Sequence, residues 1–319
     1  MIFTCLQMVV MKRKDVIFNE VIISTPRMGA KRRSNWSATT GESCHNPISD
    51  KHENLRLLLT GMQRVLIAFS GGVDSTLLLK VARDVLGENA LAATAISETT
   101  SRHERRDATR LAKRMGVTHL LVDSQELEMP EFINNPVDKC YICKKHRFSA
   151  MKALADQHGC LYVLDGSNLD DQRDFRPGIR ALEELGVRSP LFETKMTKSD
   201  IRRLSQRFGL PTWNKPSFAC LASRIPYNHR ITPKKLQQVD AGEDFLRELN
   251  FSPQLRVRHY GDTVRLEIAP DDIQKLASAI LRERIVAYFK GMGFAFVTLD
   301  LEGYTMGSLN RVLNRSKEE

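Results

Sequence analysis

One glycine-rich turn and three cysteines carry most of the chemistry legible in this chain. The turn is Ser70-Gly71-Gly72-Val73-Asp74-Ser75, between the apolar run Arg64–Phe69 and the segment Thr76–Ala82. A buried strand, a turn and an amphipathic helix in direct succession aim several backbone N–H groups and a helix N-terminus at one point, which suits phosphate. Gly71 and Gly72 permit close approach, Ser70 and Ser75 add hydroxyl donors, and Asp74 offers a contact for a metal ion or water. The Gly-Lys-Ser/Thr ending of a Walker loop is missing, and with it the lysine that would reach a terminal phosphate. A strand-to-helix turn with no ligand is the plainer alternative, and the flanking pattern speaks against it.

Cys140 and Cys143 stand three apart at the start of a predicted helix that follows Pro136, with Asp138 as its N-cap. The helix dipole and Lys139, Lys144 and Lys145 are expected to favour thiolate at both. Cys220 adds a third thiol in Lys215–Tyr227, a stretch framed by Pro216 and Pro226 that cannot form one regular helix. Ser223 and Arg224 make its surroundings friendly to anions. Three thiols suit an iron–sulfur cluster with one iron open to a non-protein ligand. Zinc with His146 as fourth ligand, or thiols without metal, fit the spacing equally well. Cys5 and Cys44 lie in the leading segment, and Cys160 sits beside a strand, where apolar packing is the default. Chain size and the lack of a secretory pattern in the first eleven residues argue against a disulfide framework.

Arg256 and Arg258 alternate with Val257 on a predicted strand and therefore face one side, where with Arg224 they suit an anionic ligand; an exposed strand face is the alternative. Asp165-Gly166-Ser167-Asn168 follows a strand directly, and Asp170, Asp171, Asp174 and Arg176 come next. Their positions fit magnesium, ribose or a substrate amide, or for Asp170 a helix cap. Asp174 and Arg176 are assigned to the site. Glu267 and Glu302 would take a further metal or stabilise a subunit contact, though exposed strand carboxylates ordinarily do neither.

The elements that must position these residues alternate. Strands are predicted at 64–69, 91–96, 117–122 and 161–165, and helices at 75–86, 101–115, 138–158 and 197–208. Strands rich in Val, Leu, Ile and Ala between helices imply an α/β fold, a doubly wound parallel sheet covered on both faces, with its ligand at the carboxyl ends of the strands. After Pro226 the order changes to helix 233–249, a hairpin of strands 254–260 and 263–268 about Gly261-Asp262, helix 271–290 and strand 294–300, a small α+β domain. The expected organisation is a flexible extension over 1–50, a nucleotide domain over 51–226 and the α+β domain over 227–319.

At 319 residues the chain can bury two cores, and its 42% hydrophobic and 27% charged residues are ordinary for a soluble globular protein. No apolar run reaches the roughly 18 residues of a membrane span. Part of the net charge of +10 sits in Lys12, Arg13, Lys14, Arg27, Lys31, Arg32 and Arg33. Elsewhere basic residues are interspersed with acids, as in Arg102–Asp107, so a nucleic-acid partner is not expected.

Beyond these readings, SGGVDS resembles the pyrophosphate (PP) loop of the ATP-pyrophosphatase superfamily. SGGVDS, KCYICK, DGSNLDDQRDFRPG, SPL, GLPTWNKPSFACLASRIPY, RVRHYGDTVRLEI and LDLEGYTMGSLN, in that order, resemble the LarE family of ATP-dependent sulfur transferases over residues 53–310. The resemblance implies a cytoplasmic, homo-oligomeric enzyme that uses ATP and Mg2+. It would adenylylate a carboxylate of pyridinium-3,5-biscarboxylic acid mononucleotide and replace the activated oxygen with sulfur, in nickel-pincer nucleotide biosynthesis. Ser70, Gly71, Gly72, Asp74 and Ser75 would bind ATP. Ser223, Arg224, Arg256 and Arg258, with Asp174 and Arg176, would bind substrate. Cys140, Cys143 and Cys220 would hold a four-iron, four-sulfur cluster, with Cys220 catalytic; single-cysteine members instead sacrifice that sulfur. The sulfide donor is not identified by the sequence. A tRNA thiolase of the same superfamily and a non-catalytic nucleotide sensor are the competing functions. Asn228 stands where the family pattern has glycine after Tyr227, and asparagine's tolerance of positive φ is expected to preserve the turn.

Overall fold

The computed structural model of the chain describes residues 47–173, 178–216 and 219–311, within the compact unit Asn46–Glu319. Strands β1 (Val65–Ala68), β2 (Ala90–Ile96), β3 (His119–Asp123) and β4 (Tyr162–Leu164) form a parallel sheet in the order β3-β2-β1-β4. After β3 the chain crosses to the other side of β1, so the winding direction reverses between β1 and β4. That reversal opens a crevice at the carboxyl end of β1, and Ser70–Ser75 lies there.

The described helices are α1 (Pro47–Thr60), α2 (Val73–Leu86), α3 (Arg102–Arg114), α4 (Pro130–Ile133), α5 (Lys139–Gln157), α6 (Gly178–Glu184), α7 (Pro190–Glu193), α8 (Lys198–Arg207), α9 (Pro233–Glu248) and α10 (Ala279–Gly291). Side chains alternate along β1 and serve two cores. Val65 and Ile67 pack with Leu59 of α1, Leu77 of α2, Leu111 of α3 and Leu204 of α8. Leu66 packs with Phe148 and Met151 of α5 and Leu182 of α6. The doubly wound α/β sheet predicted from the alternation is therefore the fold that forms. α1 begins at Pro47, and residues 1–46, with Cys5 and Cys44, lie outside the described residues.

Beyond Pro226, α9 precedes the antiparallel pair β5 (Arg256–Tyr260) and β6 (Thr263–Glu267), and β7 (Phe296–Leu299) adds parallel to β6 after the α10 crossover. Val257, Val264 and Leu266 pack on Leu246, Ile285 and Phe289. The helix expected over 271–290 is divided. A 3-10 segment, Pro270–Ala277, ends at Ser278, whose side chain caps α10 by accepting from the Leu281 amide. Among the described residues no helix is long and apolar enough to cross a membrane.

Candidate active site

The phosphate turn is built by two constraints on glycine. Gly71 holds φ +68°, and a Cβ there would stand 3.1 Å from the Ala108 Cα of α3, so α3 packs onto bare backbone. Gly72 is the extended N-cap of α2 and brings no side-chain cap, leaving the first amides of the helix for a ligand. Ser70 Oγ and Ser75 Oγ lie 3.2 Å apart, and the Gly72 amide donates to Ser70 Oγ at 3.3 Å. From the neighbouring loop, Gly166 presses on the turn so closely that a Cβ would meet the Ser75 nitrogen at 3.1 Å.

Two lysines stand where the Walker lysine is missing. Lys198, the first residue of α8, donates from Nζ to Asp74 Oδ2 at 2.5 Å, while Asn168 Nδ2 donates to Asp74 Oδ1 at 3.3 Å. Lys215 Nζ donates to the Gly71 carbonyl at 3.2 Å and pairs with Asp107 at 3.3 Å. Sequence reasoning missed both, since each arrives from more than a hundred residues away. The Thr197 capping box marks where α8 opens at Lys198, but it carries no sign of the contact with Asp74. Asp170 accepts from the Lys198 amide at 2.7 Å, so it acts as a helix cap. Asp165 accepts from Ser167 and Ser189, each at 2.5 Å. Asp174 and Arg176 lie outside the described residues.

Cys140 and Cys143 lie in the first turn of α5 and Cys220 at the N-cap of the 3-10 turn Leu221–Arg224. All three are free, with Cys140 and Cys220 exposed and Cys143 half-buried. The expected thiolate character is not what the surroundings favour. Although Cys140 is exposed as a residue, protein packed around its thiol raises its pKa; burial pushes Cys143 up to about 12, and charge on Cys220 would raise both further. Of the lysines invoked for thiolate, Lys139 and Lys144 do lower the Cys140 pKa by their charge, but by less than burial raises it. Lys139 is buried, donates to Asn135 Oδ1 at 2.5 Å and lies 4.6 Å over the Tyr227 ring, and burial lowers its pKa. Lys145 pairs with Glu184 at 2.9 Å on the surface. Asp138 is the N-cap of α5 but makes no side-chain cap bond.

Ile142 and Cys143 pack against the cluster that holds Leu221 and Ala222, and Lys139 Nζ donates to the Ala222 carbonyl at 3.4 Å, so the start of α5 and the Cys220 turn share one neighbourhood. Three soft sulfur donors are chemically suited to iron. Among the described residues, however, no group of three or more His, Cys, Asp or Glu is arranged to hold a metal ion, His146 included.

Arg224, Arg256 and Arg258, expected to meet anions, are each buried. Arg224 donates from Nε and Nη2 to Glu243 and from Nη1 to the carbonyls of Ala219 (2.5 Å) and Cys220 (3.1 Å). Arg258 pairs with Glu267 through Nε (2.9 Å) and Nη2 (2.8 Å), and its Nη1 reaches the Ser223 carbonyl at 2.7 Å. Arg256 lies 4.7 Å over the Tyr304 ring. Burial, then the nearby Arg224 charge, holds its pKa down to about 10. Glu267 is fully buried between Arg258 and Arg265, whereas Glu302 pairs with Arg311 at the surface.

A residue absent from the sequence reading, Asn135, clamps the turn that follows. Its Nδ2 donates to the carbonyls of Ile225 (3.1 Å), Pro226 (2.6 Å) and His229 (3.1 Å). Asn228 holds φ 62°, as expected of asparagine in place of glycine.

A family model described as a PP-loop domain matches residues 45–176. A pyridinium-3,5-bisthiocarboxylic acid mononucleotide synthase of Lactiplantibacillus plantarum is 37% identical over 271 residues, 85% of this chain and 97% of the synthase. An uncharacterized protein of Synechocystis sp. is 46% identical over 268 residues, 84% of this chain and 100% of that protein. One of Methanocaldococcus jannaschii is 29% identical over 242 residues, 76% and 91% of the two chains.

Proposed function

Because the chain belongs to the LarE-type family of PP-loop sulfur transferases, we propose that it is an ATP-dependent sulfur transferase acting on pyridinium-3,5-biscarboxylic acid mononucleotide. A substrate carboxylate oxygen attacks the α-phosphorus of ATP, the bond to the bridging oxygen breaks, and pyrophosphate leaves with the electron pair. A sulfur nucleophile then adds to the activated carbonyl carbon and AMP departs, which leaves a thiocarboxylate.

Ser70, Gly71, Gly72, Ser75 and the first amides of α2 bind the phosphates. Asp74 takes Mg2+ as Lys198 turns to the phosphates, and Lys198 and Lys215 neutralise charge on the departing pyrophosphate. Ser223, Arg224, Arg256 and Arg258, with Asp174 and Arg176, are assigned to the substrate, the arginines to its phosphate and carboxylates. Cys140, Cys143 and Cys220 would hold a four-iron, four-sulfur cluster, which would supply sulfide already deprotonated. The protein is a cytoplasmic homo-oligomer with a nucleotide domain over 51–226 and an α+β domain over 227–319.

The observation that supports this reading best is the segment joining the two halves of the chemistry. Lys215 touches the phosphate turn at Gly71, and Cys220, five residues on, precedes Leu221 and Ala222, whose cluster packs against Cys143 and whose Ala222 carbonyl accepts from Lys139 at the start of α5. The test is anaerobic turnover of the purified chain with ATP and the biscarboxylic nucleotide. Pyrophosphate release should depend on that nucleotide, and its product should carry sulfur for oxygen. Cys220→Ala should release pyrophosphate yet transfer no sulfur. Release that ignores the nucleotide sinks the assignment. Iron and sulfide analysis, with the chain's mass after one turnover, separates a cluster from loss of the Cys220 sulfur as dehydroalanine.

A further inference from the structure

Behind the thiols lies a polar network that the proposed reaction does not use. Glu126, in the 3-10 turn after β3, is fully buried. Its Oε1 accepts from Ser124 Oγ at 2.9 Å, from Arg147 Nε in an ion pair, and from Cys143 Sγ at 3.7 Å. Its Oε2 is buried with no hydrogen-bond partner among the described residues. Arg147, one turn along α5 from Cys143, donates from Nη2 to Ser97 Oγ at 3.1 Å and Thr99 Oγ1 at 2.7 Å. Thr99 is itself fully buried, and its carbonyl accepts from the amide of Leu221, the neighbour of Cys220, at 2.9 Å. A continuous path therefore runs from Cys143 through Glu126, Arg147 and Thr99 to the Cys220 loop.

Stability does not account for this arrangement. Withdrawing two charges from water is offset only by good geometry, and apolar side chains of equal volume commonly do as well. An orphaned carboxylate oxygen adds a further cost. What such a network does supply is a single arrangement of the parts it touches. Here those parts are the loops after β2 and β3, α5 and the Cys220 segment.

We infer that Glu126 and Arg147 are positioning residues for the thiol site, holding Cys143 in one orientation and, through Thr99, anchoring the loop that presents Cys220. The inference rests on the reading of these thiols as the sulfur-delivering site, but its test needs no turnover. The full-length chain, reduced and metal-free, is treated with a short bifunctional thiol alkylator, and cross-linked peptides are mapped by mass. Wild type should join Cys220 to Cys140 or Cys143. Arg147→Met and Thr99→Val should each lower that yield roughly tenfold, with far-UV circular dichroism and ATP binding unchanged. Arg147→Lys, which keeps the charge without the planar fork, should recover part of it. No cross-link in wild type, or full yield in the folded variants, overturns the inference. Should Arg147→Met fail to fold, Thr99→Val decides alone. Pyrophosphate release is the readout that tests the transferase reading itself, so the two failures are distinguishable.

Discussion

Arg224 grips Glu243 with two parallel hydrogen bonds, Nε to Oε1 at 2.7 Å and Nη2 to Oε2 at 3.0 Å, and both side chains are all but sealed from solvent. With Nη1 on the carbonyls of Ala219 and Cys220, the same guanidinium fastens the Cys220 loop to α9. Arg224→Met would leave the Glu243 carboxylate buried with Arg247 as its remaining ion-pair partner. A loss of about 3–5 kcal/mol is expected from urea unfolding, and Arg224→Met/Glu243→Met should recover part of it. Additive losses in the double variant would contradict a coupled pair.

Acid should weaken the fold through the same residue. Burial alone would raise the Glu243 pKa, but the charge and hydrogen bonds of Arg224, with Arg256 and Arg247, hold it below the ordinary 4.5. The unfolded chain therefore takes up this proton first as pH falls. The contribution is complete above pH 4.5 and disappears as pH drops through the folded value. His119, lowered by burial, works in the same direction below pH 6.5. Urea midpoints measured from pH 7 downward should fall, and less steeply in Glu243→Gln; parallel curves would refute the link.

Lys198 and Lys215 separate binding from chemistry. Each can neutralise the leaving pyrophosphate, so Lys215→Met should reduce kcat/KM for pyrophosphate release roughly hundredfold. Lys198→Met should act similarly and also alter the Mg2+ dependence, because Lys198 contacts Asp74. Steady-state release at several Mg2+ concentrations distinguishes them. Wild-type rates in both variants would remove these lysines from the site.

The two glycines of the turn should differ. Gly71→Ala meets both a left-handed backbone and the Ala108 Cα at 3.1 Å, so a loss of roughly 1–3 kcal/mol and of ATP affinity is expected. Gly72→Ala has φ −80° and meets only Ser70 Oγ at 3.3 Å, so its effect on stability should be small. Thermal melts with and without ATP give the comparison.

The phosphate turn was legible because strand, turn and helix are contiguous, and the periodicities on either side needed no distant partner. Arg256 and Arg258 were likewise placed on one side of their strand by alternation alone. Their partners were hidden. Glu267 meets Arg258 only through the hairpin register, which turns a carboxylate read as exposed into a buried one. Burial opposes the thiolate expectation for Cys140 and Cys143 for a related reason: dipole and neighbouring lysines are local properties, whereas burial is tertiary. Lys198, Lys215, Asn135, Glu126 and Arg147 enter the site from separate segments, and spacing carries no trace of that convergence. The division of helix 271–290 was written in Ser278, a capping residue inside an otherwise continuous apolar pattern.

The stretch from Lys215 to Cys220 also sets a leash. Five residues of chain span at most about 18 Å, and one end is pinned at Gly71. An acyl-adenylate released into water is lost to hydrolysis, so its fate is a race between solvent and sulfur. With Cys220 in the proposed sulfur-delivering role, a short tether weights that race in advance by keeping the local concentration of sulfur high. Lengthening it with inserted glycines would leave every reacting group intact, yet spend more ATP for each sulfur delivered.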